Sequence, residues 1–220
     1  LNGSEDVFGK PKAYIETAWR RYTKHSKNKV QEISGAILPL VKTHAENMPF
    51  YAAILAGEFT KNSLDQLKSE GFFVLHFTYD EIAAVYEEEG VSIQWGEKTD
   101  AHALEQLSMQ LSNISPEAKQ RMKNAFISKY ARKLERLCIE LKESLEITIT
   151  EVRITPVHGK TKTLATPKSA ISYIVDYDED SVQPIMRYEI SIRYSNEQEY
   201  TMKCKTKRQA IQFLTKYVVE

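Results

Sequence analysis

Between Ala13 and Trp95 the sequence alternates short apolar stretches with amphipathic ones, and this alternation limits the folds open to the chain. Enrichment in β-branched and aromatic residues predicts four strands, AYIETAW (13–19), PFYAAILAG (49–57), FFVLHF (72–77) and VSIQW (91–95). Helical periodicity and capping residues predict three intervening helices, NKVQEISGAILPL (28–40), NSLDQLKSEG (62–71) and DEIAAVYEEEG (80–90). Pro39 is expected to end or kink the first of them. Strands that alternate with helices indicate an α/β fold with a mainly parallel or mixed sheet flanked by helices.

Two helices are predicted beyond this region, a short one over 100–111 and a long one over 115–145. Ser115 can cap the long helix and Pro116 suits its first position. One face of the long helix is apolar, and the other carries Lys119, Arg121, Lys123, Lys129, Arg132, Lys133 and Arg136. This basic face is either a solvated surface or a surface for nucleic acid.

The composition shifts after residue 145. The segment EITITEVRITPV predicts a strand, Thr166 and Pro167 open a helix, and two alternating segments around SNEQ predict a hairpin before a closing helix. No internal repeat is apparent in the sequence. We therefore expect three parts: an α/β core (1–114), a long connecting helix (115–145) and a small α+β module (146–220).

Charge and cysteine content narrow the class of protein. The formal net charge is zero, so any electrostatic function has to come from local asymmetry. No apolar run is long enough to span a membrane. Cys138 and Cys204 fit no metal-ligand spacing, which favours reduced thiols in a cytoplasmic protein. The scattered histidines disfavour a zinc site, and the segment LAGEFTKNS could bind an anion but lacks the glycines of a nucleotide-binding loop.

The most unusual local feature is a single carboxylate, Glu16, inside the first predicted strand. A carboxylate within a buried sheet is costly unless it is paired or binds a cation. Past the carboxyl end of that strand, where open α/β sheets bind ligands, the segment RRYTKHSKNK is strongly basic. Two interpretations follow. Glu16 is a structural partner of a nearby Arg or Lys, or it holds a divalent ion for phosphodiester cleavage while the basic residues bind phosphates.

A strand with an acid near its end, a helix with a basic start and a further parallel strand resemble the core of the PD-(D/E)xK nuclease superfamily. Within it, YIETAWRRYTKHSKNKVQEI is similar to a bacterial restriction-endonuclease-like group, as are AILAGEFTKNSLDQLKSEGFFVLHFTYDEI and the AIQFL tail. The resemblance covers most of the chain and implies a Mg²⁺-dependent endonuclease that cuts double-stranded DNA. Cutting both strands of a duplex favours a homodimer.

The resemblance also implies roles for individual residues. Glu16 is the metal-binding acid of the E-x-K element, and Thr17 lends its carbonyl to the metal. Ala18 stands where the family has a Lys, so the cation is expected from the following helix, at Lys24, Lys27 or Lys29. Glu32 is an auxiliary metal ligand or the partner of a Lys.

The second metal-binding acid of the family has no clear counterpart. Asp6 is the nearby Asp, but it lies in a turn-rich segment, and we expect the true acid upstream of Leu1 in a longer protein. The expected DNA contacts are Arg20, Arg21, Lys24, His25, Lys27 and Lys29, although the sequence around His25 favours an ordinary surface histidine. Two other functions stay open: a non-catalytic DNA-binding or regulatory module, and a small-molecule-binding α/β domain.

Overall fold

The computed structural model describes residues 9–96, 99–156, 159–179 and 187–218. The chain divides into two compact units, Leu1–Leu145 and Glu146–Glu220. Within the described residues there are eight α-helices, a parallel three-stranded sheet in the first unit and a separate antiparallel sheet in the second. The predicted α/β class with flanking helices is confirmed at this level.

The first unit is built around three parallel strands in the order β1-β2-β3, with β1 at Ala13–Arg20, β2 at Phe50–Gly57 and β3 at Phe73–Phe77. Helix α1 (Ser26–Thr43) connects the first two strands, and α2 (Lys61–Ser69) connects the second and third. Parallel neighbours need such crossovers, because a tight turn cannot bring the chain back to the same end of the sheet.

One face of this sheet packs against α1 and α2. The apolar residues of the helices recur at helical spacing, and those of the strands alternate, so both sets meet in one cluster. Its buried members are Val30, Ile33, Ile37, Ala53, Leu55, Phe59, Leu67 and Phe72.

The opposite face packs against α3 (Tyr79–Glu87), α5 (Pro116–Lys129) and α6 (Ala131–Leu145). Phe77 at the end of β3 contacts Phe126 and Tyr130, with ring centroids 4.8 Å and 5.5 Å apart. Helix α4 (Ala101–Ser112) adds Leu111 to a smaller cluster around Tyr79, Ala83 and Ile93. Helices thus cover both faces of the sheet, as predicted.

Helix α1 continues past Pro39 to Thr43, so of the two expected effects of Pro39, an end of the helix or a kink, the end does not occur. A proline inside a helix crowds the carbonyl four residues earlier and leaves it without a donor. Here that residue is Gly35, which is exposed, and a Cβ there has open space. Water can bind its carbonyl group, and the helix tolerates the proline.

The segment 91–95 is not a strand, contrary to prediction, although its side chains alternate between buried and exposed. Its carbonyl groups accept hydrogen bonds from side chains instead of from a neighbouring strand. The Tyr79 hydroxyl donates to the Ile93 carbonyl, and Arg21 donates to that of Trp95. The segment is therefore an extended strap held by two side chains.

The predicted long helix over 115–145 is two helices, α5 and α6, separated at Tyr130. Tyr130 leaves the helical conformation and packs on Phe77, and its hydroxyl donates to the Glu81 carbonyl over 3.0 Å. These contacts with the sheet and with α3 fix the break, which the unbroken helical pattern of the sequence hides. Both helices belong to the first unit.

The second unit contains a four-stranded antiparallel sheet in the order β5-β4-β6-β7. The strands are β4 (Ile149–Pro156), β5 (Lys162–Leu164), β6 (Tyr188–Tyr194) and β7 (Glu199–Cys204). Helices α7 (Pro167–Asp176) and α8 (Lys207–Thr215) pack together and against the sheet. The expected α+β module and its hairpin around SNEQ agree with these elements.

This unit consists of two halves with the same element order, although no repeat is apparent in the sequence. Each half is a hairpin followed by a helix, and β4 pairs with β6 at the centre. Thr166 caps α7 and Thr206 caps α8 with nearly the same backbone angles. The hairpins differ in register, since Val152 pairs with Leu164 whereas Ile192 pairs with Tyr200.

In the described part of the chain, none of the helices combines the length and apolar character that crossing a lipid bilayer requires.

Candidate functional site

Glu16 lies on the face of β1 that packs toward α1. Among the described residues β1 pairs only with β2, so Glu16 stands on the outer strand of the sheet. Its side chain is 37% exposed. The premise that this carboxylate is buried inside the sheet is therefore wrong, and desolvation alone does not demand a metal ion.

Glu16 belongs to a chain of alternating charges. The Lys29 ammonium lies 3.8 Å from Glu16 Oε1 and 3.3 Å from Glu32 Oε2, and the Arg20 guanidinium lies 3.7 Å from the same Glu32 oxygen. Lys29 is the least exposed member, at 20%. Two carboxylates from different elements thus reach one ammonium group, as β1 presents Glu16 toward α1, and Lys29 and Glu32 are one helical turn apart.

Of the three lysines predicted to supply the catalytic cation, the structure brings Lys29 next to Glu16. Lys24 lies in a short 3-10 turn before α1, and Lys27 lies in the first turn of α1. Both side chains are exposed and form no ion pair with any described residue. Their placement suits contact with a dissolved or polymeric anion better than work beside Glu16. The side chain of His25 lies outside the described part of the structure.

A close approach of β1 and β2 fixes the backbone of Arg20. Gly57 has a φ of +96°, and a Cβ on it would lie 1.9 Å from the Arg20 carbonyl oxygen. The same oxygen accepts a hydrogen bond from the Glu58 amide over 2.7 Å. A glycine is therefore required at position 57. The close contact fixes the backbone of Arg20, whose side chain pairs with Glu32.

Arg21, a predicted DNA contact, is held by aromatic rings. Its guanidinium lies 3.7 Å from the centre of the Tyr79 ring, with Tyr22 and Trp95 rings at 5.2 Å and 5.5 Å. Burial raises the pKa of Tyr79, and the Arg21 charge partly offsets that rise. These contacts tie the strap 91–95 to the end of β1, so the structure gives Arg21 a structural role.

The remaining predicted positions are spread apart. The side chain of Thr17 is exposed on the face of β1 opposite Glu16, and Ala18 packs in the α1 core where the family motif has a Lys. Asp6, the predicted second acid, lies outside the described residues.

The carboxylates near Lys29 fit a Mg²⁺ site in which the protein supplies few of the ligands. No group of three or more His, Cys, Asp or Glu side chains with metal-binding geometry occurs among the residues that the structure describes. Mg²⁺ in phosphate-processing sites is bound through one or two carboxylates together with waters and phosphate oxygens. Glu16 and Glu32, which share the Lys29 ammonium, can supply such a pair of carboxylates.

A second basic element is the start of α2, which lies in the segment LAGEFTKNS considered above for anion binding. Ser26 Oγ and Ser63 Oγ lie 3.2 Å apart, and the Thr60 hydroxyl donates to Ser63 over 2.8 Å. Both serines are buried, so this contact joins the starts of α1 and α2. Lys61, exposed and without an ion pair among the described residues, lies two residues before Ser63, and Lys27 lies one residue after Ser26. The capping pattern TKNS was the available signal.

Three of the seven cations on the basic face of α5 and α6 pair with acids of α3 and of the turn after it. Arg121 binds Glu89 with both Nε and Nη2, at 2.9 Å and 2.6 Å, and Lys129 lies 3.3 Å from Glu88. Lys133 donates to both oxygens of Glu81. These three cations hold helices together, so this part of the face is not simply solvated, and the other four cations of the face are exposed.

Comparisons of the chain with protein-family models, with curated proteins and with solved structures find no match.

Proposed function

We propose that the protein is a Mg²⁺-dependent endonuclease of the PD-(D/E)xK type that hydrolyses phosphodiester bonds in double-stranded DNA. The observation that carries the proposal is the Lys29 ammonium between the carboxylates of Glu16 and Glu32. A strand acid with an adjacent lysine is the functional pair of the E-x-K element, and Lys29 from α1 takes the place left by Ala18.

Each residue has a chemical part in this proposal. Glu16 and Glu32 hold the ion, which when bound polarises the phosphoryl group and lowers the pKa of the attacking water. Lys29 donates a hydrogen bond to the attacking water or to a non-bridging phosphate oxygen and opposes the developing negative charge. Partial burial of Lys29 supports this role, since a charge acts more strongly where water is partly excluded.

The substrate-binding part of the proposal rests on Lys24 and Lys27. Phosphate groups along DNA are recognised by cationic side chains that fix the position of the duplex without reading its sequence. These two lysines have no acidic partner among the described residues and lie within a few residues of Lys29. Arg20 adds a third cation, although Glu32 partly neutralises it.

The test is cleavage of supercoiled plasmid DNA by the protein in Mg²⁺ or Mn²⁺, with chelator as the blank. We expect Glu16→Gln and Lys29→Met each to lower the cleavage rate by about 100-fold or more, the usual contribution of a positioned acid–base or charged group. Lys68→Met is the matched control, because Lys68 also pairs with an acid, Asp65, but on α2. Cleavage by Glu16→Gln at the wild-type rate contradicts the assignment.

A second candidate is a DNA-binding or regulatory module that does not cut. It is favoured by Ala18 in place of the motif Lys and by the presence of only two carboxylates around Lys29 in the described residues. Binding of duplex DNA that weakens with salt, without strand scission in either metal, selects this candidate. Affinity for DNA that is unchanged by charge reversal of Lys24, Lys27 and Lys29 points instead to a small-molecule domain.

A cytoplasmic homodimer completes the proposal, because two strands of a duplex are cut by two sites. Sedimentation of the protein with a short duplex is expected to show a complex that contains two 25.3 kDa chains. A complex with one chain for each duplex argues for nicking of a single strand.

A further inference from the structure

The basic side chains of the first unit fall into two groups, those paired with an acid and those without an acidic partner among the described residues. Several basic side chains are paired with an acid: Lys29, Arg121, Lys129 and Lys133 pair with an acid of another segment, and Lys68 pairs with Asp65 of its own helix. Other lysines are exposed and have no ion pair with a described residue, among them Lys24, Lys27, Lys61, Lys119 and Lys123. Lys24, Lys27 and Lys61 are distinguished by coming from two segments, far apart in sequence, that the fold brings into contact.

The contact between Ser26 and Ser63 produces this grouping. The two side chains are 1% and 4% exposed, so the point where the segments meet is tightly packed. Lys24 and Lys27 lie within two residues of Ser26, and Lys61 lies two residues before Ser63. The three exposed lysines are therefore carried by segments that meet at one fixed point.

None of these three lysines forms an ion pair with an acid among the described residues. The first turns of α1 and α2 contain no Asp or Glu, whereas α3 begins with Asp80 and Glu81, and α5 with Glu117. A fixed cluster of uncompensated cations attracts a polyanion and binds it with release of counterions.

We propose that the start of α2, through Lys61, is a second phosphate-binding element for the same DNA duplex. The backbone of the DNA then extends from Glu16 and Lys29 across Lys24 and Lys27 to Lys61. This inference rests on the proposed function, and it adds to that function a segment, Thr60–Ser63, that lies on a different crossover of the sheet.

The test measures the salt dependence of binding between the protein and a fluorescently labelled duplex, by anisotropy in the absence of divalent metal. A phosphate contact contributes about one to the slope of log affinity against log salt concentration. We expect Lys61→Ala to lower the magnitude of the slope by about one, as Lys24→Ala and Lys27→Ala do. Lys68→Ala, on the same helix but paired with Asp65, is the matched control and is expected to leave the slope unchanged.

The outcomes separate the two proposals. If Lys24→Ala and Lys27→Ala lower the slope while Lys61→Ala behaves like Lys68→Ala, the DNA-binding function stands and the α2 element is rejected. If the wild-type protein does not bind duplex DNA, both are rejected. Circular dichroism melts of the four variants confirm that exposed lysines were changed without unfolding, and a slope change that persists in folded Lys61→Ala supports the inference.

Discussion

Two basic surfaces of the first unit look alike in sequence and differ in structure. One is the lysine cluster at the starts of α1 and α2, made of Lys24, Lys27 and Lys61. The other is the face of α5 and α6, where Arg121, Lys129 and Lys133 meet acids of α3 and the turn after it. These three cations of the second surface join helices, while the three lysines of the first surface have no acidic partner among the described residues.

The difference lies in what each surface faces. Helix α3 and the turn after it present Glu81, Glu88 and Glu89 to α5 and α6, whereas the first turns of α1 and α2 present no acid to each other. A run of lysines and arginines therefore indicates function only when the elements packed beside it are known. Substitutions that treat the two surfaces alike can break or sharpen this contrast.

The largest difference is expected between Lys29→Met and Lys133→Met in DNA cleavage. Both lysines contact glutamates, but Lys29 stands at the proposed catalytic pair and Lys133 at a helix contact. Lys29→Met is expected to slow plasmid cleavage by about 100-fold, and Lys133→Met to leave the rate within a factor of about two below its melting temperature. Equal losses in both variants contradict the contrast.

Charge reversal on the two surfaces is expected to change DNA affinity differently. The double variant Lys24→Glu, Lys27→Glu removes two proposed phosphate contacts and is expected to weaken duplex binding at least tenfold at moderate salt. The matched variant Lys119→Glu, Lys123→Glu makes the same change of net charge on exposed positions of α5. Its affinity, measured by the same anisotropy titration, is expected to fall by much less; a similar fall indicates attraction by net charge alone.

For the free energy of unfolding, we expect the larger effect on the second surface, the reverse of the expectation for DNA binding. Lys133 donates to both Glu81 oxygens and to the His76 carbonyl, at 2.6–3.2 Å, so Lys133→Met removes three hydrogen bonds from a half-buried position. We expect the free energy of unfolding to fall by about 1–2 kcal/mol in urea titrations. Lys24→Met, at an exposed position, is expected to change it by less than about 0.5 kcal/mol.

The smallest expected difference between variants is in how the stability of the fold depends on pH. Burial raises the pKa of Glu81, but hydrogen bonds from Lys133 and the Thr78 amide, with the Lys133 charge, outweigh burial and lower the pKa below its usual value of 4.5. A carboxylate with a lowered pKa in the folded state stabilises the fold above its unfolded pKa, and this contribution is lost as the pH falls below about 4.5 toward the lower folded value.

Urea midpoints at pH 6 and pH 3.5 measure this loss. Wild type is expected to lose more stability between the two pH values than Glu81→Gln, which cannot titrate at that position. Glu105→Gln removes an exposed carboxylate of α4 and serves as the control, with a loss close to that of wild type. Parallel curves for wild type and Glu81→Gln argue against a stabilising Glu81–Lys133 pair.

The order of strands and helices up to α3 could be predicted from sequence because each element shows its own periodicity. The predictions failed where side chains substitute for regular backbone pairing. Arg21 and Tyr79 donate to the carbonyl groups of the strap 91–95, and Tyr130 interrupts a continuous helical pattern through contacts with β3 and α3. Such contacts join residues distant in sequence and leave no periodic signal.

The two halves of the second unit were missed for a different reason. A shift of 40 residues aligns Thr166 with Thr206, Ala170 with Ala210 and Tyr177 with Tyr217, but few other positions are identical. The buried positions keep apolar character rather than identity, as Ile174 and Leu214 do. The pairing of Val152 in β4 with Ile192 in β6 aligns the two halves, which residue identity alone does not do.

For the candidate site, sequence reasoning placed Glu16, Glu32 and one of three lysines in a single site but did not select the lysine. The crossover from β1 to α1 brings Lys29 next to both carboxylates. The burial expected for Glu16 was wrong because strand periodicity does not reveal which strand lies at the side of a sheet. Lys61 was not predicted, since its relation to Lys27 depends on a contact between two serines.

The packing around Arg21 has an optical consequence. The chain has two tryptophans, Trp19 and Trp95, and both lie against Tyr79 beside Arg21, with ring centroids 6.1 Å and 6.2 Å from that tyrosine. Intrinsic ultraviolet emission of the protein therefore originates at one end of β1, next to Arg20. Loosening of the strap, or arrival of a ligand at that end, becomes observable in the unlabelled protein as a change in emission wavelength or intensity.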